Sequence, residues 1–236
     1  MTSNRSFTAI VPAAGIGKRM NRDLPKQYLT IAGKTIIEHT LERLICHPQI
    51  GRIIVVLHPQ DSHFTQLTIA QSANIITVTG GKERSDSVLA GLAMVAADEQ
   101  WVLVHDAARP CLHPDDLSAL LQLAEQGEVG GILAAPVRDT MKRSNTQQFV
   151  EKTESRDNLW HALTPQFFPA QMLYQALSQA QQLKLNITDE ASAIEQFGGK
   201  VKIVIGRASN IKVTQDEDLL LAHFYLTQLP QEINQT

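Results

Sequence analysis

A glycine turn near the start of the sequence carries the first residues that could do chemistry. It reads VPAAGIGKRM from Val11 to Met20, and PKQYL follows shortly afterwards. Backbone N–H groups of a glycine-rich turn can donate hydrogen bonds to phosphate oxygens. Lys18, Arg19 and Lys26 add positive charge around it. The pattern indicates a loop that binds a phosphate-bearing ligand, whereas a solvated loop surface is the alternative for each lysine taken alone.

Two common phosphate-binding loops do not fit this turn. The dinucleotide fingerprint needs a third glycine where Met20 stands, and an acidic residue after the second strand, where the sequence reads LHPQ. The phosphate loop of kinases and NTPases needs Ser or Thr after its Gly-Lys pair, but Arg19 follows Lys18. A dinucleotide oxidoreductase and a P-loop NTPase are therefore both disfavoured.

A second candidate group is Asp106, which closely follows the apolar run WVLV. A carboxylate at the carboxyl end of a parallel strand lies where open α/β sheets bind ligands, and it is a suitable oxygen ligand for Mg2+. Two alternatives remain open on these grounds. Asp106 caps the next turn, or it forms a structural ion pair with Arg109.

A third candidate is the glycine pair Gly80 and Gly81, which precedes a helical segment. Without a Cβ the backbone there can approach a ribose or a base closely, and Ser87 could hydrogen-bond a pyrimidine edge. A simple turn with a helix cap is the alternative. In that case Arg84 and Asp86 brace the loop.

Short apolar runs must position these groups. They are rich in β-branched residues and nearly continuous, as strands buried on both faces are. They cover residues 7–11, 52–57, 74–78, 101–104 and 131–137. Segments with helical spacing lie between them, at 35–45, 61–70, 85–97 and 114–126. The alternation predicts an α/β fold with an open, mostly parallel, doubly wound sheet and right-handed crossovers.

The pattern changes after residue 137. Residues 138–156 are polar, alternate on either side of SNTQQ, and predict a β-hairpin arm that projects from the domain. An uncovered hairpin suggests association with a second copy of the chain, because exposed strand edges invite pairing. Beyond the arm the sequence predicts helices near 169–182 and 189–197, a strand at 201–205, and a last helix opened by a capping box from Thr214 to Glu217.

Composition limits the possible partners. The 236 residues are 43% hydrophobic, enough for a sizeable core, and the formal net charge of -3 lacks the basic excess of nucleic-acid-binding proteins. An uninterrupted apolar stretch of about 18 residues is absent, so neither a membrane span nor a signal peptide is expected. Cys46 and Cys111 are too isolated for a disulfide framework or a zinc site, which suits a reducing cytoplasm.

Several blocks of the sequence together resemble a known enzyme family. Besides VPAAGIGKRM and PKQYL, these blocks are GGKERSDSVLAGL (80–92), VHDAARP (104–110), APVRDTMK (135–142), HALTPQFF (161–168), TDEA (188–191) and NIKVT (210–214). The first two resemble the signature of nucleotidyltransferases that join a nucleotide to a sugar or polyol phosphate. The full set resembles the 2-C-methyl-D-erythritol 4-phosphate cytidylyltransferases of the non-mevalonate isoprenoid route, over nearly the whole chain.

This resemblance implies a fold, a reaction and a set of residue roles. The fold would be a single Rossmann-like nucleotidyltransferase domain over residues 1–236, and the reaction would transfer CMP from CTP to a polyol phosphate with the help of Mg2+. Catalysis would fall to Arg19, Lys26 and Lys212. Nucleotide binding would fall to Pro12, Ala13, Ala14, Gly15, Gly17, Lys18, Gly81, Lys82, Ser87, Asp106 and Ala107, with Asp106 also the metal ligand. The substrate-binding donors would be Arg138, Asp139, Thr140, Arg156, Thr164, Thr188, Asp189 and Lys212.

The arm has a particular role in this resemblance. Thr140 and Arg156 would reach the polyol phosphate of the neighbouring subunit in a homodimer that forms through residues 138–156. Thr164, Thr188 and Lys212 would serve their own subunit.

Lys82 departs from the family pattern, because some members have an acidic or a small residue there, beside the ribose. A contact at that point is either lost or made by the backbone alone. Two other functions remain as alternatives. One is a cytidylyltransferase for ribitol 5-phosphate or another polyol phosphate, and the other is a CTP-binding sensor without catalysis.

Overall fold

A large sheet of seven strands organises the protein, whose structure is a computed structural model that describes residues 6–15, 24–96, 98–127 and 129–228. In chain order the strands are β1 (Phe7–Pro12), β2 (Thr30–Ile31), β3 (Lys34–Thr35), β4 (Ile50–Leu57), β5 (Ile75–Thr79), β6 (Trp101–Val104), β7 (Gly131–Pro136), β8 (Met141–Ser144), β9 (Val150–Glu154), β10 (Trp160–Pro169) and β11 (Lys202–Ile205). The helices are α1 (Ile36–Ile45), α2 (Arg84–Leu92), α3 (Pro114–Leu121), α4 (Ala170–Gln182), α5 (Glu190–Gln196) and α6 (Asp216–Gln228).

The strands of the large sheet stand in the order β11-β7-β10-β6-β1-β4-β5. β1 pairs in parallel with β4 and β6, β4 pairs in parallel with β5, and β7 pairs in parallel with β11. Among the described strands of this sheet, β10 alone, between β6 and β7, runs antiparallel to its neighbours. The predicted α/β fold with a mostly parallel sheet is therefore confirmed.

Both faces of the sheet are buried, which explains the continuous apolar runs. Ala9 and Val11 of β1 pack in one core cluster together with side chains of α1 and α3. The residue between them, Ile10, packs in a second cluster with side chains of α2, α4 and α5. Successive residues of a strand point to opposite faces, so a strand that is covered twice needs apolar side chains at nearly every position.

Three helical predictions are wrong, the one at 61–70 in type and those at 85–97 and 114–126 in extent. α3 ends at Leu121, and Gln122–Ala124 is a 3-10 turn. Residues 61–70 form short 3-10 turns, Phe64–Gln66 and Thr68–Gln71, because the Asp61 carboxylate accepts hydrogen bonds from the N–H groups of His63 and Phe64 and closes a tight turn. α2 ends at Leu92, whereas the prediction extended to residue 97. Beyond Leu92 the chain continues as tighter turns, with Met94 N donating to Gly91 O at 3.0 Å.

The sequence reasoning did not assign β10 as a strand. Pro165 lies within it, and a proline argues against a strand in the middle of a sheet because it has no N–H to donate. The structure accommodates Pro165 where the register with β7 shifts, between Ala162 and Gln166. The ladder is interrupted at that point, so the missing donor is tolerated.

The last helix begins with a different acid from the one predicted. The Asp218 carboxylate, not that of Glu217, accepts hydrogen bonds from Thr214 N at 2.7 Å, Thr214 Oγ1 at 3.0 Å and Gln215 N at 2.9 Å. The predicted capping box from Thr214 to Glu217 is therefore wrong by one residue.

No helix within the described part of the chain is long and apolar enough to cross a membrane.

The predicted arm is present as an antiparallel hairpin of β8 and β9 that forms a sheet of its own. It is inserted between β7 and β10, which are antiparallel neighbours in the large sheet. Its side chains are mostly exposed, and Phe149 and Val150 near the tip are 68% and 61% accessible. The hairpin prediction is confirmed, while its role in dimerisation stays a prediction.

Candidate active site

A cleft of about 200 Å³ opens at the carboxyl ends of β1 and β6, the edge at which open parallel sheets bind ligands. Its lining contains these residues predicted from the sequence: Pro12, Ala13, Ala14, Gly15, Lys26, Gly81, Lys82, Ser87, Asp106, Ala107 and Lys212. It also contains Gln27, Glu83, Arg84 and Ala108. Gly17, Lys18 and Arg19 lie outside the described residues.

The turn after β1 is held at its base by two hydrogen bonds. Ala13 N donates to Val56 O of β4 at 2.8 Å. The carbonyl of Ala13 accepts from Gln27 Nε2, also at 2.8 Å, and Gln27 is buried. This glutamine was not among the predicted site residues, and nothing in its sequence neighbourhood marks it except its place between Lys26 and Tyr28.

The glycine pair after β5 is required by close packing. A Cβ on Gly80 would lie 2.8 Å from Ser87 Oγ, and a Cβ on Gly81 would lie 2.3 Å from the Cβ of Asp86. Ser87 Oγ accepts from Gly81 N at 3.3 Å and donates to Glu83 O at 3.2 Å. The buried hydroxyl thus ties the glycine loop to the first turn of α2, and a bond from Ser87 to a pyrimidine remains a prediction.

Asp106 is the centre of charge in the cleft. Lys212 Nζ lies 2.8 Å from its Oδ2, Arg84 Nε lies 3.1 Å from its Oδ1, and Arg109 Nε lies 3.6 Å from its Oδ2. Burial alone would raise the pKa of Asp106, but the cations Arg84, Lys212 and Arg109 outweigh it and hold the pKa well below its usual range. The carboxylate is therefore ionised throughout the physiological range.

Arg84 links Asp106 to a second buried carboxylate. Its Nη1 and Nη2 donate to the two carboxylate oxygens of Glu190, at 2.6 and 3.1 Å. Glu190 is the first residue of α5, and Arg84 is the first residue of α2. Three elements that are distant in the sequence therefore meet at one guanidinium group.

The backbone of Asp106 is fixed by Thr164 and His105. His105 Nε2 lies 3.1 Å from Arg109 O, and since a carbonyl oxygen only accepts, this ring nitrogen carries the proton. The unprotonated Nδ1 then accepts from the Thr164 hydroxyl at 3.0 Å, while Thr164 Oγ1 accepts from Asp106 N at 3.0 Å. Burial lowers the pKa of His105 to about 4, so the neutral ring required by this arrangement persists at neutral pH.

The segment NIKVT closes the cleft on the side of the two predicted catalytic lysines. Val213 N donates to Ala108 O at 2.8 Å, which places Lys212 beside Asp106. Lys26 Nζ donates to Val213 O at 3.2 Å. Both lysines thus lie in the lining of one cleft, although they are far apart in the sequence.

The remaining predicted substrate-binding residues lie outside the cleft lining. Arg138, Asp139, Thr140 and Arg156 are exposed at the base of the arm, where Arg156 Nη1 donates to Arg138 O. Thr188 is exposed near the start of α5. The Asp189 carboxylate caps α5 by accepting from Ser192 N at 2.9 Å, and it also accepts from Gln166 Nε2 at 2.9 Å.

Comparison with known proteins shows one enzyme family to which nearly the whole described chain is similar. The chain matches the model of the family described as IspD, 2-C-methyl-D-erythritol 4-phosphate cytidylyltransferase, over residues 7–228. A curated relative of that name from Pseudoalteromonas atlantica is 62% identical over 226 residues, covering 96% of this chain and 97% of the relative. Another from Photorhabdus laumondii is 57% identical over 237 residues, covering 97% and 98%.

Solved structures show the same likeness. A crystal structure of a 4-diphosphocytidyl-2C-methyl-D-erythritol synthase is 36% identical and superposes with a TM-score of 0.81, covering 94% of this chain and 99% of that one. The 2-C-methyl-D-erythritol 4-phosphate cytidylyltransferase of Francisella tularensis is 35% identical, with a TM-score of 0.80 and coverage of 93% and 99%.

Proposed function

The chain belongs to the 2-C-methyl-D-erythritol 4-phosphate cytidylyltransferase family, and on that premise we propose that it transfers CMP from CTP to 2-C-methyl-D-erythritol 4-phosphate. The products are 4-diphosphocytidyl-2-C-methyl-D-erythritol and pyrophosphate, and the reaction serves isoprenoid precursor synthesis. The observation that carries the proposal is the single cleft in which the glycine turn, two lysines and Asp106 meet.

The reaction needs no side-chain nucleophile and no general base. A phosphate monoester has a second pKa of about 6, so the acceptor is mostly a dianion at neutral pH. One of its oxygens forms a bond to the α-phosphorus of CTP. The bond from that phosphorus to the oxygen bridging the α- and β-phosphates breaks, and its electron pair leaves with pyrophosphate. What the protein must supply is position and positive charge, because two anions have to approach each other.

The lysines of the cleft are suited to that task. We assign Lys26 and Lys212 to the phosphates around the reacting phosphorus, together with Arg19, which lies outside the described residues. Each lysine is positioned by a contact with an oxygen, Lys26 with that of Val213 and Lys212 with that of Asp106. The turn adds the backbone N–H groups of Ala14 and Gly15 next to the same space.

The cleft also fits Mg2+. Within the described ranges no group of three or more His, Cys, Asp or Glu side chains could hold a metal alone. Asp106 does supply a hard carboxylate, and one or two carboxylates with substrate phosphates are how Mg2+ is commonly bound. Asp106 would therefore share the ion with the phosphates of CTP. When bound, Mg2+ neutralises phosphate charge in the ground state and on the leaving group.

The arm completes the proposal as part of a homodimer. Thr140 and Arg156 lie outside the cleft lining of their own chain, and the arm exposes Phe149 and Val150 near its tip. An arm that docks on a second copy would bury those apolar side chains and bring Arg156 to the polyol phosphate of the neighbour. A guanidinium group pairs with a phosphate dianion through two parallel hydrogen bonds.

The test is a product assay with CTP, Mg2+ and 2-C-methyl-D-erythritol 4-phosphate. We expect pyrophosphate release that depends on the acceptor, together with a product that contains one CMP unit. The same chain with ribitol 5-phosphate, under the same condition, is the specificity control. Faster turnover of ribitol 5-phosphate would reassign the acceptor, and binding of CTP without pyrophosphate release would identify a sensor instead of an enzyme.

A further inference from the structure

Glu190 is a charged side chain in a place where charge is costly. Its side chain is 1% exposed. A carboxylate in such a position needs a full set of charged or hydrogen-bonding partners. Arg84 supplies them through a bidentate contact of 2.6 and 3.1 Å. The pair therefore has a definite geometry, unlike most ion pairs at the surface.

The same guanidinium group faces Asp106. While Nη1 and Nη2 are held by Glu190, Nε donates to Asp106 Oδ1 at 3.1 Å. Arginine stays protonated in proteins, so Arg84 carries a full positive charge between the Glu190 and Asp106 carboxylates. All three of its guanidinium nitrogens are engaged.

Glu190 is itself held in place from the sheet. Gln166 on β10 donates from Nε2 to the Asp189 carboxylate at 2.9 Å, and its Oε1 accepts from Ala191 N at 2.8 Å. The residues on both sides of Glu190 are therefore anchored to the same glutamine. Because Gln166 fixes the start of α5, the position of Glu190 does not depend on Arg84. Glu190 therefore determines where the Arg84 guanidinium group lies.

The balance of charge gives this arrangement a consequence for the metal. Asp106 faces the three cations Arg84, Arg109 and Lys212. A divalent cation that binds Asp106 has to compete with all of them. Glu190 neutralises one of these cations and directs two of its three nitrogens away from Asp106.

We propose that Glu190 is a positioning residue, which keeps Asp106 available to Mg2+ by holding and neutralising Arg84. The proposal rests on the function proposed above, because that function places Mg2+ at Asp106. Without the Glu190 charge, the full charge of Arg84 would act on Asp106. The arginine would also be free to turn toward the phosphates of the nucleotide.

The first test compares Glu190→Gln with Glu195→Gln. Both remove one negative charge from α5, but Glu195 is exposed and Glu190 is buried. We expect Glu190→Gln to raise the Mg2+ concentration for half-maximal pyrophosphate release by about 10- to 100-fold, as loss of a partner of a metal ligand commonly does. Glu195→Gln should leave it unchanged.

A second readout does not depend on turnover. With CTP present and the acceptor omitted, electron paramagnetic resonance measures the concentration of free Mn2+. The amount of bound Mn2+ is the difference between the total and the free ion. We expect Glu190→Gln to weaken Mn2+ binding by about 10- to 100-fold as well, and Glu195→Gln to match the wild type. If the wild type binds Mn2+ but turns over neither polyol phosphate, the proposed function is wrong, and this comparison still tests the role of Glu190.

The third test asks whether Glu190 acts through Arg84. In an Arg84→Gln background, Glu190→Gln should change Mn2+ binding little, because the cation to be neutralised is already gone. An undiminished effect of Glu190→Gln in that background would overturn the proposed route.

Glu190→Asp keeps the charge but shortens the side chain, and it is the fallback if Glu190→Gln does not fold. We expect it to weaken Mn2+ binding to an intermediate extent. If these Glu190 variants bind Mn2+ as the wild type does and need no more Mg2+ for turnover, Glu190 has only a structural role. This holds even if the midpoint of their thermal unfolding is lower.

Discussion

The cleft and the arm both contain residues predicted for the site, but the central carboxylate of the cleft is buried, whereas the charged side chains of the arm are mostly exposed. Asp106 in the cleft is buried and paired with cations from other elements of the same chain, and so is Glu190 behind Arg84. On the arm, charged side chains pair within the hairpin, as Arg143 and Lys152 do with Glu154, and most of them are exposed.

This difference predicts different consequences for mutations in the two regions. Removing one partner of a buried ion pair leaves the other charge without compensation and costs about 3 to 5 kcal/mol, whereas an exposed ion pair contributes about 0 to 1 kcal/mol. Variants in the cleft should therefore alter folding stability together with activity. Variants of the arm should leave the free energy of unfolding nearly unchanged and act only through assembly or through the partner's substrate.

The largest expected effect is that of Asp106→Asn. Removing this charge takes away the carboxylate that Arg84, Arg109 and Lys212 face, so we expect the free energy of unfolding to fall by about 3 kcal/mol. This is the low end for a buried pair, because Arg84 and Lys212 are partly exposed. Turnover at ordinary Mg2+ concentrations should be lost as well. Chemical denaturation and a magnesium titration measure the two effects.

The pH dependence of this effect has a definite sign. The folded-state pKa of Asp106 lies below its ordinary value of 3.8, so its contribution to stability is present above that value and is lost as the pH falls through the folded pKa. The difference in unfolding free energy between wild type and Asp106→Asn should thus be constant near neutrality and shrink below about pH 4. Asp157→Asn, at an exposed position next to the arm, is the control. An equal loss of stability in both variants would contradict the contrast between the regions.

The second prediction tests whether the two regions act in one site across two chains. Lys26→Ala and Arg156→Ala should each lower turnover by roughly a hundredfold, the usual effect of losing one charge-stabilising donor. If the two variants are mixed, dissociated and reassociated, about half of the dimers should be mixed, and each of these holds one site without a lesion. Roughly a quarter of all sites should then be intact.

Subunit exchange must be verified separately, for example with differently tagged chains. Recovery of activity toward a quarter of the wild-type value would support the shared site. If exchange is complete and activity stays at the level of the separate variants, Arg156 does not act in the neighbour's site.

The cleft and the sheet could be predicted from the sequence because their physical signals are local. A strand buried on both faces needs an apolar residue at nearly every position, and this pattern located β1, β4, β5, β6 and β7. The glycine loop and the strand-end carboxylate also stand in short contiguous blocks. Several of their residues therefore meet in the cleft as predicted.

Other features depend on tertiary geometry and left no local signal. β10 contains a proline, and it is tolerated only because the register with β7 shifts beside it. In TDEA, the acid named from the sequence was Asp189, yet Asp189 caps α5 while its neighbour Glu190 enters the charge network of the cleft. Which of two adjacent acids points toward the site depends on how the helix is anchored, and Gln166 does that from a strand the sequence did not reveal.

The third prediction concerns the exposed tip of the arm. Phe149 is 68% accessible in the single chain, so Phe149→Ser should hardly change the free energy of unfolding of a monomer. If the arm docks on a second copy, burial of Phe149 contributes about 1.5 to 3 kcal/mol per side. Its loss should then raise the concentration at which dimers half-dissociate by more than about tenfold. Sedimentation over a range of protein concentrations measures this midpoint.

Phe224→Ser is the matched control, because Phe224 is 57% accessible but lies on α6 and not on the arm. It should leave the dissociation midpoint unchanged. Equal midpoints for Phe149→Ser and the wild type would show that the tip of the arm is not part of an interface.

The smallest expected effect is that of Lys82→Ala, next to Gly81, where we expect a substitution to be far more damaging. The Lys82 side chain is exposed at the cleft, and an exposed charge near a phosphate contributes about 0 to 1 kcal/mol, so kcat/KM for CTP should fall by no more than about fivefold. Gly81→Ala should be far more damaging, because its Cβ would lie 2.3 Å from the Cβ of Asp86 and the loop would have to move. Steady-state kinetics of both variants at saturating acceptor make the comparison. A large rise in KM for CTP in Lys82→Ala would show that this side chain holds the nucleotide directly, and that the contact at this point is not made by the backbone alone.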